Sequence, residues 1–225
     1  MIYYNIPFML DAATPFMLDA ATPFMPARHA LTGGRAAVLR TIRDPMISLA
    51  VWMRVPPRGL RMVADALAAR APFSVAAEDR PGPAAATVTA GLPGSTGCGR
   101  TRLTADIARL ARIFAEIAGT TAVRIRLDAI DGPACRLFHA DHVGLRLLCT
   151  YAGPGTEWVP DHAVARAALG DNARAIPRKA AIRRLPRFAV GLFKGEAFPG
   201  NAGRGIVHRS PPVRSAPRLL LCLDE

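Results

Sequence analysis

The sequence predicts an α+β fold in which N-terminal helices buttress a C-terminal barrel or jelly roll. Three observations lead there. From Thr104 to Gly119, the apolar groups Ile107, Leu110, Phe114 and Ile117 fall at three- and four-residue steps, as an amphipathic helix requires. Past Gly119 the spacing changes, and Val123, Ile125 and Leu127 stand two apart in the alternation of a strand. From there on, short apolar runs are divided by Gly and Pro turns, the pattern of a sheet closed on itself or folded into two layers.

The elements follow in order. Pro7–Thr14 recurs without change as Pro15–Thr22, and Pro23-Phe24-Met25 begins a third copy. Eight residues are too few for a solenoid unit, and a proline every eight residues interrupts any helix, so residues 1–35 are expected to form a poorly ordered tail. Residues 36–120 are expected to be helical. Asp44 is placed to cap a helix over Pro45–Arg54, with proline at its first position, and Pro56-Pro57 breaks before a second helix over Arg58–Arg70. Asp79–Arg100, rich in Gly, Pro, Ala and Thr, reads as a linker. Thr104 opens the clearest helix, and Gly119 stops it. Residues 121–225 are expected to be the β core, with strand-like runs at Val123–Ile130, Arg136–Phe138, Leu145–Tyr151, Phe188–Phe193, Gly205–Val207 and Leu219–Leu223. His162–Pro186 is a polar, basic insertion, expected near the barrel mouth or as a solvated excursion.

At 225 residues the chain can bury one sizeable core. The net charge of +12 points ordinarily to nucleic acid or an anionic surface. Of the 29 basic residues, however, only Lys179 and Lys194 are lysine, and the arginines are spread along the chain apart from the stretch Arg174–Arg187. Cys98, Cys135, Cys149 and Cys222 have no C-x-x-C spacing and read as reduced thiols. No apolar run approaches the roughly 20 residues of a membrane span, and no basic region precedes the apolar N-terminus, so a cytoplasmic location is expected. Neither a phosphate-binding P-loop nor a G-x-S-x-G elbow occurs, which removes nucleotidase and hydrolase readings.

The chemistry concentrates in Phe138-His139-Ala140-Asp141, answered later by Val207-His208-Arg209-Ser210-Pro211 and then by Arg218. Two imidazoles and one carboxylate make the facial triad that leaves three positions of an octahedral iron(II) open. His139 and Asp141 are two apart and in extended chain project to the same side. His208 must come from a distant strand. Arg218, ahead of Leu219-Leu220-Leu221-Cys222-Leu223, could grip a carboxylate from a barrel wall, with Arg209 and Arg214 as nearby alternatives. Tyr151, Arg146 and Trp158 are further candidates for the pocket. His142, next to Asp141, should point the other way.

The segment Leu145–Tyr151, followed by Gly153-Pro154-Gly155 and Thr156-Glu157-Trp158-Val159-Pro160, resembles the iron(II)- and 2-oxoglutarate-dependent oxygenases of the prolyl 4-hydroxylase type. The chain is most similar to the domain-of-unknown-function family 1826, through its arginine, Thr-Tyr, Gly-Thr-Glu-Trp and His-x-Ser-Pro elements over Cys135–Asp224. The resemblance implies a double-stranded β-helix, a jelly-roll or cupin-like barrel. It implies His139, Asp141 and His208 as catalytic metal ligands for Fe(II), with Arg218 on the far carboxylate of 2-oxoglutarate. Tyr151 and Arg146 are carried as cofactor-binding candidates. The expected function is a dioxygenase that oxidises, by hydroxylation, a small-molecule or peptide substrate while converting 2-oxoglutarate to succinate. A non-catalytic metal-binding module on the same barrel and a nucleic-acid demethylase are the rival readings.

Overall fold

The computed structural model of the chain describes residues 29–94, 97–132, 134–212 and 217–225. The octapeptide repeat, the expected tail and Arg214 lie largely or wholly outside those residues. Among the described residues, ten strands form two sheets. The large sheet has the order β1-β2-β8-β5-β10-β4-β3, from β1 (Ala30–Gly33), β2 (Leu49–Trp52), β8 (Val190–Lys194), β5 (Leu145–Ala152), β10 (Arg218–Asp224), β4 (Val123–Ile130) and β3 (Phe73–Asp79). Only β1 and β2 run parallel. The small sheet orders β7 (Arg183–Arg184), β6 (Glu157–Val159) and β9 (Val207–Arg209), and His139 adds an isolated antiparallel bridge to His208. From β4 onward the chain visits the sheets in turn: β4 large, His139 small, β5 large, β6 and β7 small, β8 large, β9 small, β10 large.

Alternation along the central strands assigns their faces. On β4, β5 and β10 the side chains Ile125, Leu127, Leu147, Tyr151, Leu219, Leu221 and Leu223 enter one core against the helices. That core also takes Ile107, Leu110, Phe114 and Ile117, the stripe legible in the sequence. The opposite faces contribute Leu148, Leu220 and Cys222, with Leu49, Val51 and Phe193, to a second core facing Trp158 and Ile206 of the small-sheet side. Each fully buried large apolar side chain stabilises by roughly 1.5–3 kcal/mol, so closing both faces of one sheet is the main source of the fold's stability.

Residues 36–120 carry three α-helices and a 3-10 helix together with strands β2 and β3. α1 (Leu60–Ala68) lies within the expected second helix, and α3 (Cys98–Ala118) ends at Gly119, left-handed at φ +77° with its N–H on the Ala115 carbonyl. α3 begins earlier than Thr104, whose hydroxyl donates to the Arg100 carbonyl inside the helix. The helix expected over Pro45–Arg54 is absent. A 3-10 helix (Ala36–Arg43) precedes it, Asp44 makes a turn by accepting the Met46 N–H at 2.8 Å, and β2 follows. All four β2 residues are buried, so the strand shows a continuous apolar run in place of alternation, a pattern that does not distinguish strand from helix. The linker expected over Asp79–Arg100 contains α2 (Pro81–Ala90), which opens on proline and buries Ala84, Ala85 and Val88. Its small side chains pack closely but leave no stripe to read. Strands β1, β2 and β3 therefore join residues 30–79 to the same sheet as the β core.

The insertion after β6 is not a loose excursion, and Asn172 within it accepts the Phe138 N–H at 2.8 Å, next to His139. A short helix α4 (Asn172–Ala175), with Asp171 accepting from its first N–H groups, places Ala175 and Ile176 against Phe138, Val159 and Val207 on the outer face of the small sheet. No strand forms over Arg136–Phe138; pairing there is confined to the bridge at His139. Among the described residues, no helix is long and apolar enough to cross a membrane.

Candidate functional site

His139 and His208 meet across the gap that the small sheet leaves. Reciprocal backbone bonds join them, His139 N–H to the His208 carbonyl at 3.1 Å and His208 N–H to the His139 carbonyl at 2.9 Å. Their ring centroids are 4.8 Å apart. Each ring places Nδ1 beside a backbone carbonyl two residues earlier, Leu137 at 2.9 Å and Ile206 at 3.0 Å. A carbonyl can only accept, so Nδ1 carries a proton in each ring and Nε2 is the nitrogen turned toward Asp141. Both Nε2 atoms face Asp141, at 3.5 Å from Oδ1 and 3.3 Å from Oδ2.

Asp141 is held from behind. Its backbone carbonyl accepts the Glu196 N–H at 2.8 Å, and Gly195 is required there because a Cβ would stand 2.2 Å from the Val143 carbonyl oxygen. Arg146 Nη1 lies 2.8 Å from Asp141 Oδ2. That contact is one of charge, because Oδ2 is buried without a directed hydrogen bond. Burial by itself would push the Asp141 carboxyl up. The neighbouring imidazoles and Arg146 outweigh burial and hold the group well below the usual carboxylate range. The Asp141 contact raises the His139 imidazole against its partial burial.

The donor atoms of His139, Asp141 and His208 lie within 4.8 Å of one another. Two imidazole nitrogens and the Asp141 carboxylate facing them suit one divalent cation. The three residues expected as ligands are thus brought together.

A cavity of about 190 Å³ opens beside the triad, and Arg218 forms its far wall. Arg218 is 1% exposed. Its guanidinium donates to three hydroxyls, Ser210 at 3.1 Å, Thr150 at 3.2 Å and Thr156 at 2.6 Å, while Nε has no partner. No described carboxylate forms an ion pair with it. Burial pushes Arg218 down to about 10, so it stays charged at neutral pH. Gly153, at φ +73°, lets the turn after β5 pass beside Arg218; a Cβ there would stand 3.0 Å from the Arg218 Cα.

Other candidates fall elsewhere. Tyr151 lies on the helix face of β5, fully buried, and donates its hydroxyl to Asp106 Oδ2 at 2.7 Å. Positions 146 and 151 have opposite parity, so one strand cannot aim both at the same cavity. Arg146 does line the cavity, tied to Asp141 and Asp224. Trp158 is buried between the sheets, opposite His208 in register. Arg209, the alternative to Arg218, is engaged by Glu157 at 2.8 Å. His142 is exposed, as expected. Asp224, in sequence a possible ion-pair partner for Arg218, binds Arg146 instead. Thr150, Thr156 and Ser210 are not singled out by the sequence, although spacing relates them: Thr150 shares a strand face with Arg146, Ser210 with His208, and Thr156 with Trp158.

A family model described as protein of unknown function (DUF1826) matches residues 33–224. The chain belongs to this family. No curated protein matches it. Among solved structures, the chain is similar to AviO1 from Streptomyces viridochromogenes Tue57, at 14% identity and a TM-score of 0.43, covering 85% of this chain and 95% of that one. A Pseudomonas putida prolyl-4-hydroxylase is similar at 13% identity and a TM-score of 0.43, over 84% of this chain and 97% of that one. An oxidoreductase of the 2OG-Fe(II) oxygenase family from Burkholderia pseudomallei is similar at 15% identity and a TM-score of 0.37, over 85% and 89%.

Proposed function

We propose that this DUF1826 protein is an iron(II)- and 2-oxoglutarate-dependent oxygenase on a double-stranded β-helix. The alternation of the chain between two facing sheets from β4 to β10 supports that fold. The observation that carries the function is Arg218, a buried cation without a direct ion pair, in a cavity that His139 and His208 also line. Burying an unpaired charge costs several kcal/mol. A dicarboxylate reaching from the triad to Arg218 would supply the missing charge.

In this reading His139, Asp141 and His208 hold iron(II). The bound ion would supply dioxygen activation coupled to decarboxylation of 2-oxoglutarate to succinate, which oxidises a small-molecule or peptide substrate. The chain's own residues bind and orient. Arg218 neutralises the far carboxylate, and the hydroxyls of Thr150, Thr156 and Ser210 fix its guanidinium by accepting from it. The carbonyls of Leu137 and Ile206 accept from Nδ1 and so turn both Nε2 atoms toward the metal position. Phe193, with its ring 5.1 Å from His208, and Leu148 exclude water from one side of the centre. The test is succinate formation from 2-oxoglutarate by the iron-loaded protein under air, compared with Asp141→Ala. The reading predicts slow turnover that the variant lacks. Tight zinc binding with no 2-oxoglutarate affinity would instead favour a metal-binding module.

A further inference from the structure

Asp141 sits in a connecting segment that belongs to no strand, whereas its charged neighbour belongs to the middle of the large sheet. Arg146 lies on β5 and Asp224 directly opposite it on β10, two strands that are each paired on both sides. The pair is bidentate, with Arg146 Nε 2.6 Å from Asp224 Oδ1 and Nη2 2.9 Å from Oδ2. That leaves one terminal nitrogen, Nη1, and it stands 2.8 Å from Asp141 Oδ2. All three side chains are largely buried, at 19%, 16% and 12% exposure. The arginine is therefore oriented by Asp224 and spends its remaining contact on Asp141.

We propose that Arg146 is a positioning residue of the metal centre: tethered by Asp224, it reserves one carboxylate oxygen of Asp141 so that the other serves the metal. The inference rests on the reading of His139, Asp141 and His208 as metal ligands. A carboxylate can offer a cation one oxygen or two. If Asp141 gave both, it would occupy a position that the triad must leave open for a chelating cosubstrate. The partners behind a metal ligand orient it, and their loss costs about 10- to 100-fold in metal affinity. Here the strut carries the rigidity of two central strands into a segment without ladder pairing of its own.

The test uses Mn(II) and Co(II) as probes on the full chain. The double variant Arg146→Met with Asp224→Leu removes both members of the strut together, so neither is left without the other, and Asp141 keeps its two imidazole neighbours. The expected result is a protein that still melts cooperatively, with Mn(II) affinity lowered about 10- to 100-fold and an altered visible spectrum of the Co(II) form. Arg146→Lys should recover part of the Mn(II) affinity. Asp224→Asn, which weakens the tether and keeps the arginine, should show a smaller fall in the same direction and serves if the double variant does not fold. Unchanged Mn(II) affinity and Co(II) spectrum in the folded variants would overturn the proposal and leave an ordinary ion pair. Failure of the unaltered chain to bind either ion would overturn the metal reading, and this inference with it.

Discussion

Two buried arginines on opposite faces of one sheet are treated in opposite ways. On the helix face, Arg54 meets Asp106 through two nitrogens, at 2.5 and 2.8 Å, and donates from Nε to the Phe188 carbonyl. Tyr151 completes the set on Asp106. Burial alone would lower the Arg54 pKa; Asp106 outweighs it and raises it above the usual arginine value. On the cavity face, Arg218 is equally buried but has only hydroxyl partners, and burial prevails. The first arginine is complete and therefore structural. The second has hydroxyl partners and no direct ion pair, the difference on which its proposed role toward an anion rests.

The strongest way to break this comparison is to remove Asp106. Asp106→Ala strands Arg54 in the core and should cost about 3–5 kcal/mol of stability, measured by urea unfolding, with metal affinity of the folded protein retained. Arg218→Leu should do the reverse. Stability should hold or rise, because an uncompensated charge is lost, while 2-oxoglutarate affinity of the metal-loaded protein should fall by about 2–5 kcal/mol, roughly 30-fold or more. Isothermal titration and a thermal melt of the same sample separate the two. Equal losses at both positions would erase the distinction. Tyr151→Phe should cost only about 0.5–1.5 kcal/mol of stability and leave 2-oxoglutarate affinity unaltered, since its hydroxyl is on the helix side.

Thiol labelling sharpens the comparison without energetic cost to the fold. Burial pushes Cys149, on the helix face, up to about 11 and Cys222, on the cavity face, up to about 12. Neither should react with iodoacetamide at mildly alkaline pH in the native protein. Cys135 is exposed and lines the cavity. It should label, and Mn(II) with 2-oxoglutarate should protect it. Mass spectrometry of the labelled protein reads all four positions.

The legible parts of this chain are those whose pattern has a single physical meaning. The α3 stripe and its glycine stop could only be an amphipathic helix, and the alternation of Val123, Ile125 and Leu127 only a half-buried strand. His139 and Asp141 were legible because a two-residue step in extended chain aims both the same way, and the partnership with His208 followed from the chemistry of the triad. β2 was misread because a strand covered on both faces loses its period. α2 was missed because alanines pack without a stripe. Tyr151 belongs against the helices by strand parity, since it shares the face of Leu147 on β5. The hydroxyl cradle of Arg218 comes from β5, the residue before β6 and the residue after β9, and only the register of the two sheets brings it together.

The central claim is that His139, Asp141 and His208 hold one iron(II) in a pocket whose far wall, Arg218, takes 2-oxoglutarate. An anaerobic titration tests it most directly, adding iron(II) and then 2-oxoglutarate to the apo-protein while recording the visible spectrum. The account predicts a weak charge-transfer band that requires both additions, is lost in Asp141→Ala, and in Arg218→Leu appears only at much higher 2-oxoglutarate. No band with both present, or an undiminished band in Asp141→Ala, would contradict it.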